Sequence, residues 1–328
     1  METYTAKQLW EWALALPEQL AAEPSGRNVP STSSPLPRRN LVCGMGGSGV
    51  SAQFLAARGP FIPWRWATTP DWLGAADSLT ALSYSGETFE TLAVTRKALA
   101  SGVRVSGVTT GGELGRLLDE RAAGRLELPV GMPPRAAFGY LLGAALRLGG
   151  RLIGEPLWDP VEVTRRLGEL RDDLVRDDFT SLRPLAASLA GRRLVVYGTC
   201  PLSAAAALRW KQQLNENAKL HCWNGALPEM SHNEIEAADP GKPPRRVVLT
   251  LADEPPPLDE IIGDHEVGLA FSAPPGEPLT RTLYLVLLGD LLSLLIAAER
   301  GVDPGSIPRI AAFKQTGWAR RAYAQGED

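Results

Sequence analysis

The sequence predicts an α/β protein with two parallel sheets, each of about five strands flanked by helices. Three observations support this prediction. Short apolar runs alternate with segments of helical periodicity, turns rich in glycine or in hydroxyl groups follow two of those runs, and the alternation restarts in the second half of the chain. At 328 residues the chain is long enough for two domains, each with a core of its own.

Composition and charge indicate an ordinary globular protein, with 22% charged and 44% hydrophobic residues. The net charge of −3 argues against a dedicated nucleic-acid or membrane surface, so we expect neither partner. Three cysteines, Cys43, Cys200 and Cys222, lack metal-type spacing and cannot all pair. We therefore expect a cytoplasmic location, with no metal and no cofactor.

Two stretches of the sequence bear on whether the chain is exported or spans a membrane. Residues 1–8 lack the basic and apolar leader of an exported protein. Residues 283–298 form the most apolar run, but Asp290 and Ser293 interrupt it and it is short for a membrane span. This run is predicted to be a buried helix.

Taken in order, the chain divides into four predicted regions. Residues 1–38 comprise a helix over 4–22, marked by an apolar stripe, and a linker rich in Pro and Ser. Residues 39–155 form the first domain, which binds the ligand. Residues 156–190 contain a charged connecting helix, and residues 191–328 form the second domain with a C-terminal helical segment around 310–318.

Within each domain the apolar runs predict the strands and the periodic segments predict the helices. The predicted strands cover residues 41–43, 79–82, 103–108 and 126–130 in the first domain, and 194–197, 220–223, 247–251 and 267–271 in the second.

The first strand leads into Gly44-Met45-Gly46-Gly47-Ser48-Gly49 and then into a helical segment. Glycines allow backbone N–H groups to approach a ligand closely, and the unpaired donors of a helix N-terminus favour an anion. Spacing alone leaves three interpretations open. The turn binds a phosphate, it binds a dinucleotide with Asp71 on the ribose, or it serves only strand-to-helix packing.

The second strand leads into Ser83-Tyr84-Ser85-Gly86-Glu87-Thr88, followed by another helical segment. One hydroxyl would suffice to cap a helix, whereas three of them, Ser83, Ser85 and Thr88, indicate a ligand with several acceptor oxygens. Two such turns on strands of one parallel sheet open at its carboxyl edge, where ligands of α/β proteins bind. This pair of turns favours a compact phosphate monoester.

Four other residues are candidates for chemistry. Glu216 is framed by Asn215 and Asn217, and such poor helix formers indicate either a helix end held by hydrogen bonds or a solvated one. His232 lies in a loop. Lys314 lies on the C-terminal segment, and the alternative to a functional role there is an ordinary surface lysine. Arg135 follows two prolines before a helix, a suitable place for a guanidinium that meets developing negative charge.

The order of these features resembles the bifunctional phosphoglucose/phosphomannose isomerases, which have two sugar isomerase (SIS) domains. The resemblance spans residues 44–314 and implies interconversion of glucose 6-phosphate and mannose 6-phosphate with fructose 6-phosphate through a cis-enediolate, without metal. It implies that the substrate phosphate is bound by Gly46, Gly47, Ser48, Ser83, Ser85 and Thr88. It also implies that Glu216 is the base, that Arg135 stabilises the intermediate, and that His232 and Lys314 act on the ring oxygen and the C1 hydroxyl.

The same resemblance implies a homodimer in which the histidine reaches the neighbouring subunit's site. One departure stands out: Glu87 occupies a position that is usually Asn in the family, which puts a negative charge beside the phosphate turn. By the same resemblance we expect the loop at residues 303–308 to border the sugar's C2 end, and its sequence leaves the preference between glucose and mannose open.

Two other functions are weighed against the isomerase. A sugar-phosphate sensor built from the same domains would keep the hydroxyl turn but would have no need for Glu216, Arg135, His232 and Lys314 together. A nucleotide-dependent oxidoreductase would need a ribose and adenine pocket, for which Pro70-Asp71-Trp72 is a thin basis.

Overall fold

A computed structural model describes residues 4–30, 36–236, 244–253 and 268–318. The chain forms two compact units. One unit, here called the first-sheet unit, comprises Glu18–Pro160 and Ile307–Asp328. The other, the second-sheet unit, comprises Met1–Pro17 and Val161–Ser306.

The first-sheet unit is built on a six-stranded sheet in the order β1-β6-β5-β4-β2-β3. Only the β1–β6 pair is antiparallel. The strands are β1 (Ser25–Arg27), β2 (Asn40–Cys43), β3 (Phe61–Trp64), β4 (Ser78–Leu82), β5 (Arg104–Thr109) and β6 (Gly124–Glu127). The helices are α2 (Leu16–Ala21), α3 (Gly47–Arg58), α4 (Phe89–Ala100), α5 (Gly112–Glu120), α6 (Phe138–Ile153) and, after the second sheet, α11 (Pro308–Gln315).

The inner strands β2 and β4 are buried on both faces, as expected of a sheet covered by helices on both sides. Leu41 and Leu79 from adjacent strands pack with Leu92 of α4 and Leu118 of α5. This cluster packs α4 and α5 against the strands that lead into the two turns.

The second-sheet unit has four described strands, all parallel, in the order β10-β9-β7-β8. They are β7 (Leu194–Gly198), β8 (Cys222–Ala226), β9 (Arg245–Thr250) and β10 (Leu269–Ser272). Its helices are α1 (Ala6–Leu14), α7 (Pro160–Arg176), α8 (Leu182–Leu189), α9 (Pro201–Glu216) and α10 (Pro278–Glu299). The predicted class, α/β with parallel sheets flanked by helices, is confirmed.

The sequence-based element assignment was wrong at three places in the N-terminal part. The single helix predicted over residues 4–22 is two helices, because Pro17 cannot donate the hydrogen bond that a continuous helix needs. The predicted linker contains β1, and β3 was missed. Residues 31–35 of that linker lie outside the described part.

The apolar run at 283–298 belongs to α10, and the prediction of a buried helix is confirmed. By length and composition α10 could span a membrane, yet 78% of the apolar 18-residue stretch within it is buried inside the protein. It packs on α9, where Arg209 and Asp290 form a buried bidentate pair with distances of 3.0 and 2.8 Å. The Trp210 indole N–H also donates to the Leu285 carbonyl at 2.7 Å.

Candidate active site

The two predicted phosphate turns lie side by side, because β2 and β4 are neighbours in the first sheet. The chain passes from β2 through α3 to β3 on one side, and then returns to β4 on the other side of β2. The carboxyl ends of β2 and β4 therefore flank a topological switch point, which is where open parallel sheets have their ligand crevice.

The glycine turn gives α3 an open N-terminus. The helix begins at Gly47, and Gly46 before it has φ of +55°, a conformation that suits glycine. Gly46 is exposed and Ser48 is half-buried. The N-cap residue, Gly46, has no side chain that could cap this helix, so the first turn presents its positive end at the crevice.

The hydroxyl turn is a preformed structure in which the three hydroxyls have different roles. Ser83 is 2% exposed; its Oγ accepts from the Gly86 N–H at 3.2 Å and donates to Thr88 Oγ1 at 3.1 Å. Ser85 is exposed, and Thr88 is half-buried at the N-cap position of α4, where its side chain makes no capping hydrogen bond to the helix. Ser83 thus shapes the turn, whereas Ser85 and Thr88 are the better placed to donate to an anion.

Gly86 is required at this turn by its backbone. Its φ is +70°, and a Cβ there would lie 2.0 Å from the Gly111 carbonyl oxygen. The turn therefore packs directly against the loop that follows β5.

Glu87 is held by the neighbouring helix. Its Oε1 accepts from the Glu113 backbone N–H, in the first turn of α5, at 2.9 Å. The N-terminus of α5 stabilises this carboxylate and offsets part of its charge. The residue that departs from the family pattern thus caps a helix.

Arg135 lies at the same sheet edge, in the loop between β6 and α6, and is 6% exposed. A second arginine, Arg65, was not predicted because β3 was missed. Arg65 follows β3, and its stem crosses the first turn of α3: a Cβ on Gly49 would lie 3.1 Å from Arg65 Cδ. The glycine turn thus has a guanidinium side chain beside it.

The second sheet has a corresponding turn after β7, but two of its backbone donors already have a side-chain partner. The Ser203 Oγ accepts from the backbone N–H groups of Thr199 at 2.8 Å and Cys200 at 3.0 Å. A side chain thus occupies the position that an anion would take at the start of α9. The sequence differs at the same place: Gly198 is followed by Thr-Cys-Pro, where the first domain has its glycine run.

Glu216 is the last residue of α9 and is half-buried. Both asparagines around it make hydrogen bonds: Asn215 Oδ1 accepts from the Cys222 N–H, and Asn217 Nδ2 donates to Ser293 Oγ, each at 3.0 Å. Lys219, at φ +53°, donates to the carbonyls of Glu216 and Ser306. The helix end is therefore fixed by hydrogen bonds, as one of the two sequence interpretations proposed.

His232 lies at the opposite edge of the second sheet from Glu216. The helix α9 runs antiparallel to the strands and ends at their amino edge, whereas His232 follows the carboxyl end of β8 in a short 3₁₀ helix, Glu229–His232. The five residues of β8 separate these edges by roughly 15 Å at about 3.3 Å per residue.

The loop of His232 is anchored although the histidine itself is exposed. Met230 is 1% exposed and packs with Tyr197 and Val248. The Tyr197 hydroxyl donates to Glu234 Oε2 at 2.8 Å, and burial together with this carboxylate raises the pKa of Tyr197.

Lys314 is exposed on α11. Among the residues that the structure describes, no group of three or more His, Cys, Asp or Glu side chains could hold a metal ion.

Comparison with known proteins identifies the family. Residues 182–316 match the model of the bacterial phospho-glucose isomerase C-terminal SIS domain. A bifunctional phosphoglucose/phosphomannose isomerase of Aquifex aeolicus is 30% identical over 302 residues, which cover 85% of this chain and 90% of that one. A D-glucosamine-6-phosphate 4-epimerase of Sulfolobus acidocaldarius is 32% identical over 202 residues, 59% of this chain and 61% of that one.

Solved structures agree on the fold. Tagatose-6-phosphate ketose/aldose isomerase from Escherichia coli superposes with a TM-score of 0.65 at 15% identity, covering 93% of this chain and 98% of that one. The sequence match along nearly the whole length of the Aquifex enzyme shows more than a shared fold: this chain belongs to the bifunctional phosphoglucose/phosphomannose isomerase family.

Proposed function

We propose that this protein isomerises aldose 6-phosphates and fructose 6-phosphate, with glucose 6-phosphate and mannose 6-phosphate as the aldoses. The observation that carries the proposal is the pair of helix N-termini at the switch point between β2 and β4, neither capped by the side chain of its own N-cap residue. Ser85 and Thr88 lie beside them, in a chain of this isomerase family. The phosphate is bound by Gly46, Gly47, Ser48, Ser85 and Thr88, and Ser83 belongs to the site through its hydrogen bonds within the turn.

The proposed chemistry needs a carboxylate and a cation. Glu216 removes the proton from C2 of the open-chain aldose and returns it to C1, and Arg135 stabilises the negative charge on the enediolate oxygens. Lys314 and His232 act on the C1 hydroxyl and the ring oxygen when the ring opens. The mechanism uses no metal and no cofactor, and the three free cysteines suit a cytoplasmic location.

We further propose a homodimer in which His232 serves the neighbouring subunit's site. The support is geometric: C1, C2 and the ring oxygen of one hexose lie within a few bond lengths of each other, whereas Glu216 and His232 of one chain lie at opposite edges of the second sheet. One copy of the second-sheet unit thus holds the two side chains at different edges of its sheet, which supports a site that a second copy completes.

Subunit mixing tests the shared site. Glu216→Gln and His232→Ala proteins should each be nearly inactive, and a mixture of the two should recover part of the wild-type activity after exchange. Recovery is expected because some hybrid sites receive both wild-type side chains. A mixture that stays inactive, although native mass spectrometry shows hybrid dimers, would contradict the shared site.

The function itself is tested by incubating the wild-type protein with fructose 6-phosphate and measuring glucose 6-phosphate and mannose 6-phosphate separately with coupled dehydrogenase reactions. Both products are expected. A parallel sample with glucosamine 6-phosphate tests 4-epimerisation, the activity in the name of the Sulfolobus relative. Binding of fructose 6-phosphate without turnover would support the sensor interpretation and contradict the isomerase.

A further inference from the structure

The loop that carries Arg135 is held on both sides by buried polar side chains that belong to other elements. On one side the Tyr84 hydroxyl donates to the Pro129 carbonyl at 2.8 Å. On the other side the Gln19 amide donates to the Ala136 carbonyl at 3.0 Å and accepts from the Gly139 N–H at 3.1 Å. These contacts bracket Arg135 within the first-sheet unit.

Tyr84 connects this loop to the phosphate turn, because it lies between Ser83 and Ser85. Tyr84 is 6% exposed. Its backbone carbonyl accepts two hydrogen bonds from Thr110, one from the backbone N–H at 2.9 Å and one from the Thr110 hydroxyl at 2.8 Å. Burial raises the pKa of the Tyr84 hydroxyl above its ordinary value near 10, so the group remains a neutral donor at physiological pH. Both ends of the residue are thus fixed.

Gln19 caps α6 from a different helix. The residue at the N-cap position of α6 is Ala137, which has no polar side chain, and the Gln19 amide of α2 accepts from Gly139 in the first turn instead. Gln19 is 2% exposed, and its carbonyl and amino groups both have partners, which offsets the cost of burying the amide.

We propose that Tyr84 and Gln19 are positioning residues that set the location of Arg135 relative to the bound phosphate. The inference rests on the proposed function, in which the phosphate turn anchors one end of the sugar and Arg135 meets the reacting end. The strands β6 and β4 are separated by β5, and Tyr84 spans that gap with a single side chain. A displacement of about 1 Å at such a group can cost as much as 10²-fold in rate.

Tyr84→Phe and Gln19→Leu test the proposal, with Ser78→Ala as the matched control. Ser78 donates to Asn40 Oδ1 at 2.7 Å, a buried hydrogen bond at the amino end of the strand that leads into the phosphate turn. We expect each test variant to lower kcat by roughly tenfold, within the range that small displacements produce, with KM nearly unchanged. Ser78→Ala should lower stability and leave kcat unchanged.

Two further measurements separate positioning from general stability. In an Arg135→Gln background, Tyr84→Phe should lower kcat no further, because the residue acts through the arginine. Modification of Arg135 by phenylglyoxal, followed by peptide mass spectrometry, should be faster in the two test variants than in wild type or Ser78→Ala. This second readout does not require isomerase activity.

The possible failures can be told apart. An inactive wild-type protein would contradict the proposed function, while the phenylglyoxal rates would still decide whether the two residues fix Arg135. An active wild type whose kcat falls equally in Tyr84→Phe and Ser78→Ala, or additive losses with Arg135→Gln, would overturn the positioning role alone.

Discussion

Glu216→Gln should lower kcat for fructose 6-phosphate isomerisation by roughly 10²- to 10⁴-fold, about 3 to 5 kcal/mol of barrier. The amide keeps the shape of the side chain and can still form hydrogen bonds, but it cannot accept a proton. Because the base acts mainly in the transition state, KM should change little. Steady-state kinetics with separate detection of the two aldose phosphates measure both constants.

The control for this variant is Glu299→Gln. Glu299 is also the last residue of a helix in the second-sheet unit, and it is exposed. The control should have wild-type kinetics. If Glu216→Gln binds fructose 6-phosphate normally and keeps a kcat close to that of Glu299→Gln, another group is the base.

Ser85→Ala combined with Thr88→Ala should raise KM for fructose 6-phosphate by about 10²-fold. Each of the two substitutions removes a hydroxyl donor to a charged oxygen. Such a hydrogen bond contributes about 1.5 kcal/mol or more, so the double variant should lose about 3 kcal/mol of phosphate binding free energy. Since the phosphate is bound equally in the ground and transition states, kcat should change much less than KM.

Thr95→Val is the control for the phosphate turn. Thr95 lies in α4, two turns beyond Thr88, where its buried hydroxyl donates to the Thr91 carbonyl at 2.7 Å. Its replacement should leave KM unchanged. An unchanged KM in the double variant, with Thr95→Val behaving identically, would show that the phosphate is bound elsewhere.

The elements that carry the site could be predicted because their apolar runs are unambiguous. Leu79 and its neighbours form a buried inner strand, and a turn of glycines or hydroxyls marks where each such strand ends. The turns after β2 and β4 were therefore predicted to open at the same edge of one sheet. The structure confirms that the two strands are neighbours.

The two edge strands of the first sheet, β1 and β3, could not be predicted for physical reasons. Pro63 in β3 argues against a strand, yet an edge position tolerates proline because one side of the strand has no partner. All three residues of β1 are exposed, so no apolar pattern marks them. Missing β3 also meant missing Arg65, which follows it.

The sequence alone could not identify the positioning residues, because their hydrogen-bond partners lie far from them along the chain. Gln19 contacts residues more than one hundred positions away, and nothing in its own helix distinguishes it from a surface glutamine. Only the three-dimensional structure shows that its amide caps α6. Tyr84 lies within a predicted motif, but its hydroxyl donates to the Pro129 carbonyl, in a loop beyond the neighbouring strand.

The most direct test of the isomerase mechanism is the fate of deuterium in glucose 6-phosphate labelled at C2. The wild-type protein should form fructose 6-phosphate with part of the deuterium at C1 and the rest lost to solvent, because one carboxylate carries the label between the two carbons and can exchange it. Glu216→Gln should give neither transfer nor exchange at a comparable rate. Transfer to C1 at the wild-type rate in Glu216→Gln would contradict the mechanism.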